Sequence, residues 1–70
     1  MKGERHAPTA RELEVLMLIA SGKSTKETAH LLGIAFKTAA SHRSRVMAKL
    51  NANNTADLTR AAIRMGLIEP

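Results

Sequence analysis

The sequence predicts an all-α domain of four helices. Three observations predict it. Polar capping patterns, Thr9-Ala10-Arg11-Glu12, Ser24-Thr25-Lys26-Glu27 and Asn54-Thr55-Ala56-Asp57, stand at the head of runs with helical apolar spacing. Gly22, Gly33 and Gly66 stand just after such runs. No stretch alternates β-branched and polar residues, and no Asn-Gly or Asp-Gly hairpin turn occurs.

The first helix is expected over residues 10–21. In its capping box the Thr9 hydroxyl accepts from the Glu12 N–H while the Glu12 carboxylate reaches back to the Thr9 N–H. Pro8 before the cap cannot extend the helix backwards. Val15, Leu16, Ile19 and Ala20 form its inward stripe. The second helix, 25–32, offers Thr28, Ala29, Leu31 and Leu32 for packing. The third, 36–50, turns Ala39, Val46 and Leu50 inward, with His42 or Arg43. It opens on Ala35, which carries no capping oxygen. The polar break Asn51–Asn54 precedes the fourth helix, 55–65, whose Leu58, Ala61, Ala62 and Met65 share one side. Leu67 and Ile68 then fold back over the core. Residues 1–8 are read as a flexible lead-in or linker end, and 9–70 as the domain.

A chain of 70 residues is at most one domain. At this size roughly 60% of the unfolded chain's surface is buried, which leaves little room for an enclosed active site. Phe36 is the sole aromatic residue, so Leu, Ile, Val, Met and Ala must fill the core. No cysteine is present, which excludes disulfides and thiolate metal sites. The longest apolar run, Val15–Ala20, falls far short of a membrane span. The chain is therefore read as soluble and cytoplasmic, with no cofactor.

Charge is distributed unevenly. The net charge is +5, from 11 Lys and Arg against 6 Asp and Glu. No acid lies between Thr28 and Ala56, whereas Lys37, Arg43, Arg45 and Lys49 do. A basic segment without acids suits a polyanionic partner. The adjacent pair Ser41-His42 does not make a nucleophile and its base. Neighbouring helix residues point about 100° apart, and the third helix holds no carboxylate to orient the imidazole. His30 and His42 lack a third metal ligand. An enzyme is not expected.

The second and third helices meet the requirements of a helix-turn-helix. Ala29 is small where two helices cross closely, Gly33 permits the turn, Ile34 plugs the core and Ala39 lets the second helix pack on the first. The matching stretches extend further: Thr9-x-Arg11-Glu12-x-Glu14-Val15-Leu16, Leu18-Ile19-Ala20-x-Gly22-x-Ser24-x-Lys26-Glu27-x-Ala29, Leu32-x-Ile34, Lys37-Thr38, His42, Lys49-Leu50 and Gly66-Leu67-Ile68. With these the chain resembles, over residues 9–68, the DNA-binding domain of LuxR/NarL/FixJ-type bacterial regulators.

The resemblance implies a C-terminal output domain controlled by an N-terminal receiver or sensor domain. It implies binding of double-stranded DNA as a homodimer, with the third helix in the major groove and the fourth at the dimer contact. Carried onto this sequence, the base-contacting candidates are Lys37, Ala40, Ser41, Ser44 and Arg45. The phosphate-contacting candidates are Thr25, Lys26, Thr38, His42 and Lys49. The dimer-face candidates are Leu58, Ala61, Ala62 and Met65. The family commonly has a basic residue where Ala40 stands and often where Ser44 stands, so the resemblance implies either that Lys37 and Arg45 carry more of the readout or that specificity comes from DNA shape and dimer spacing. The competing function is a helical protein-interaction module whose basic face meets an acidic partner.

Overall fold

The computed structural model describes residues 7–69. The lead-in expected over residues 1–8 lies mostly outside them; of it, Ala7 is exposed and Pro8 half-buried. Four helices follow in order: α1 (Ala10–Ala20), α2 (Thr25–Leu32), α3 (Phe36–Lys49) and α4 (Thr55–Arg64). Among the described residues there is no strand. Three helices end one residue earlier than the sequence suggested, with Ser21, Leu50 and Met65 as C-caps.

The caps explain where the helices begin. At α1 the Glu12 N–H donates to Thr9 Oγ1 at 3.1 Å and the Thr9 N–H donates to Glu12 Oε1 at 2.9 Å. At α2 the Glu27 N–H donates to Ser24 Oγ at 3.0 Å and the Ser24 N–H to Glu27 Oε1 at 2.8 Å. At α4 the Asp57 N–H donates to Asn54 Oδ1 at 2.8 Å. The Asp57 carboxylate accepts from the N–H of Asn53, one residue before the cap, at 3.3 Å. Only α3 starts without a side-chain cap, at Ala35. Ala35→Ser is expected to stabilise the domain by about 1 kcal/mol, a rise of roughly 4–8 °C in melting temperature. Thermal melting by circular dichroism checks this; an unchanged midpoint would mean that the first turn of α3 finds its partners elsewhere.

Packing centres on α1, which touches each of the other three helices. Val15, Leu16, Ile19, Val46, Leu58 and Ala62 form the buried core. Leu13, Leu32, Met47, Leu50, Ala52, Leu67 and Ile68 close over it. Helices α2 and α3 pack on each other; α2 buries Thr28 and Ala29 and α3 buries Ala39 and Val46, and the two alanines are small enough for a close crossing. The turn between them passes through Gly33 at φ +68°, a left-handed conformation that costs glycine little. The Ile34 N–H then closes back on the Ala29 carbonyl at 3.0 Å.

Two packing expectations are corrected. Leu31, expected to pack, is 56% exposed. In a helix of eight residues Thr28, Ala29 and Leu32 already occupy the inward arc, and Leu31 falls outside it. Leu58, Ala61 and Ala62, expected at a dimer face, are buried against α1 and the rest of this same chain. Of that set Met65 alone is exposed. The apolar stripe of α4 is an intramolecular core surface.

Candidate nucleic-acid interface

The outer face of α3 is set by its inner one. Ala39 and Val46 are fully buried, so residues about half a turn away point to solvent. Lys37, Ser41, Ser44 and Arg45 are exposed, and Ala40 is half-buried at the margin. Thr38 is exposed and His42 half-buried, the latter within electrostatic reach of Glu12 on α1. Lys37, Thr38, Ser41, His42 and Arg45 line one shallow depression. The structure thus brings three of the five base-contact candidates and two of the five phosphate candidates onto a single concave surface. Among the described residues no carboxylate lines it.

The start of α2 supplies a second feature. Thr25 and Lys26 occupy the first two helical positions, half-buried and exposed respectively. Their N–H groups have no acceptor within the helix, because the first turn never does. Glu27 at the third position is satisfied by Ser24. Its carboxyl is held below the usual range chiefly by the Ser24 backbone N–H. Lys26 and the open N–H groups leave a positive end suited to an anion.

Lys49 departs from its expected role. Its ammonium donates to Glu12 Oε1 at 2.7 Å and to the Ala7 carbonyl at 3.3 Å. The side chain is 20% exposed and that of Glu12 only 3%. Lys49 therefore ties the end of α3 to the start of α1 rather than presenting a free cation. Burial pushes the Glu12 carboxyl up. The hydrogen bond from Lys49, the Thr9 N–H and the charges of Lys49 and His42 outweigh it and hold the group below its ordinary value.

A lowered folded-state value means that Glu12 adds stability above its unfolded value, and that this stability is lost as pH falls through the folded value. Lys49→Met keeps Glu12 buried but removes its cation. At neutral pH it is expected to cost about 2 kcal/mol, from a charged hydrogen bond lost, or roughly 10 °C of melting temperature. The gap to the parent should narrow below about pH 4, where carboxylates protonate. Melting curves across that range check it; a gap independent of pH would show that the ion pair contributes nothing.

Sequence reasoning placed Glu12 in the capping box but missed its pairing with Lys49. A signal was present, since Glu12 falls on the same helical stripe as Val15, Leu16 and Ile19. A carboxylate on an apolar stripe needs a partner. Arg43 was also unassigned beyond its inward-facing flank. Its Nη2 donates to Thr55 Oγ1 at 3.4 Å and joins α3 to the first residue of α4, away from the depression.

Among the described residues no three His, Asp or Glu side chains gather as metal ligands. No helix among them is long and apolar enough to cross a membrane.

Comparison with known proteins fits the geometry. Residues 8–62 match the family described as bacterial regulatory proteins, luxR family. The chain is 44% identical over 59 residues to the uncharacterized response regulatory protein YgeK of Escherichia coli K12, covering 84% of this chain and 40% of that protein. It is 44% identical over 54 residues to the transcriptional regulatory protein TdiR of Thauera aromatica, 77% of this chain and 24% of that protein. It is 51% identical over 49 residues to the C4-dicarboxylate transport transcriptional regulatory protein DctR of Rhodobacter capsulatus, 70% of this chain and 25% of that protein. The chain thus spans between 24% and 40% of the length of these relatives. With the matched region running from just before the cap of α1 into α4, this chain belongs to the luxR family of bacterial regulatory proteins.

Proposed function

We propose that the domain binds double-stranded DNA sequence-specifically, with α3 in the major groove, as the output part of a larger regulator of transcription. The observation that carries this reading is the acid-free depression on α3 lined by Lys37, Thr38, Ser41, His42 and Arg45. A groove-reading helix needs base-facing polar groups flanked by groups that hold the phosphates. Lys37, Ser41, Ser44 and Arg45 supply the first kind, with the Ala40 methyl available to a thymine. Ala40 and Ser44 offer no fork for guanine, so bidentate recognition of that base falls to Arg45 and Lys37. Thr25, Lys26, Thr38 and His42 supply the phosphate contacts. Lys49 drops out of that set because its ammonium is on Glu12.

A dimer through α4 would use the side opposite the core. Ala56 and Arg60 are exposed there, and Thr59 and Ile63 half-buried. The named relatives are response and transcriptional regulators longer than this chain. A receiver or sensor domain would occupy the additional length in the full regulator.

Fluorescence anisotropy of a labelled duplex, at several salt concentrations and with a single-stranded control, tests the reading. Lys26 is the cation of the phosphate set and gives an expected log–log slope of about −0.9 per domain; Lys37 and Arg45 take it towards about −2.7 where they neutralise phosphates as well as facing bases. Failure of the folded domain to bind duplex at low salt would turn the assignment to the protein-interaction module.

A further inference from the structure

Phe36 is the sole aromatic residue of the chain, and it is 58% exposed. Three other large apolar side chains are exposed among the described residues: Met17 on α1, Leu31 on α2 and Met65 at the end of α4. Phe36 alone of the four stands on α3, as its first residue. It directly precedes Lys37, which lines the depression. Leu31 belongs to a different hollow, with Lys23, Lys26, Glu27 and His30, which Phe36 does not line.

Helical spacing joins Phe36 to the outer face of α3. Residues four apart stand one above the other, so Phe36, Ala40 and Ser44 form one ridge. Each step of four turns the ridge by about 40°. It runs from the flank of the helix at Phe36 onto the outward face at Ser44. Side chains tilt towards the helix N-terminus, so the ring covers the surface ahead of the first turn. In a helix-turn-helix the N-terminal residues of the second helix meet the base edges.

A phenyl ring can read little there. It has no donor or acceptor to offer a phosphate oxygen or a polar base edge. The C5-methyl of thymine is the apolar group that the major groove presents. Covering it removes apolar surface from water on both partners.

We infer that Phe36 is a specificity residue, its ring covering the C5-methyl of a thymine at the edge of the sequence that α3 reads. This rests on the duplex-binding reading above and deepens it. It assigns a thymine, whereas the cations of α3 suit guanine.

Uracil lacks only that methyl, so deoxyuridine in place of thymidine removes the contact and keeps the base pair. A duplex enriched by the folded domain from a randomised pool supplies the probe, and each of its thymines is exchanged singly. Fluorescence anisotropy then compares the parent, Phe36→Ala and Phe36→Leu, with circular dichroism to show that each is folded. At one thymine the exchange is expected to weaken the parent about fourfold, the value of one buried methyl. Phe36→Ala is expected to bind the thymine duplex about fourfold more weakly than the parent and to be indifferent to the exchange. Phe36→Leu, still apolar, should keep most of the discrimination. An exchange that costs the parent and Phe36→Ala equally would give the methyl to another residue, Ala40 first, and overturn the inference. A parent indifferent to every exchange would overturn it too, as would a Phe36→Ala variant weakened on all duplexes alike. In each of these cases duplex is still bound. Absence of any duplex binding at low salt is instead the failure of the duplex-binding reading, and the inference falls with it.

Discussion

Truncating Leu58 to alanine is expected to destabilise the domain by about 3 kcal/mol, the middle of the range for a buried leucine. Leu58 is fully buried and packs in one cluster with Val15, Leu16, Ile19, Val46 and Ala62. A chain of this length has on the order of 4–10 kcal/mol of stability in total, so the loss removes a large fraction of it. The melting temperature should fall by roughly 15 °C. The decisive control is protein concentration. If Leu58 belongs to the core of one chain, the fall is the same in dilute and concentrated samples. A fall that disappears on concentration would return Leu58 to a dimer interface and contradict its burial within the monomer.

The second large effect concerns DNA. Replacing Lys37 and Arg45 together by alanine is expected to weaken duplex binding about 100-fold at low salt, from the loss of two cationic contacts. The log–log salt slope should become shallower by about 0.9 for each of the two that neutralises a phosphate. The single variants separate the roles. A change that weakens all sequences equally marks a phosphate contact, whereas one that narrows the gap between specific and random duplex marks a base contact. Arg64, exposed at the end of α4, provides the comparison. If Arg64→Ala costs as much as the double variant, binding is a diffuse charge effect and α3 is not the reading element.

The fold was legible because its punctuation is local. A capping box needs residues three apart, and a glycine stop needs one residue, so the helix ends were placed to within a residue. The candidate site was legible in part, since helical spacing alone assigns Lys37, Ser41, Ser44 and Arg45 to one outer face. Spacing has no reach across the chain, however. The stripe Leu58, Ala61, Ala62 on α4 announces a buried surface without saying whose, and the structure gives it to α1. Lys49 has its partner 37 residues away, at Glu12. No pattern along one helix records such a pairing. Leu31 misled because an apolar residue beside Leu32 cannot share its direction in so short a helix.

The Glu12–Lys49 pair also has a mechanical consequence. One carboxylate oxygen of Glu12 holds both the Thr9 N–H and the Lys49 ammonium, and that ammonium also holds the Ala7 carbonyl. Three stretches of chain are knotted at one point: the path into the domain, the first turn of α1 and the last turn of α3. A pull on the chain ahead of α1 therefore meets no slack at Pro8. It either rotates α3 as a lever or breaks the knot.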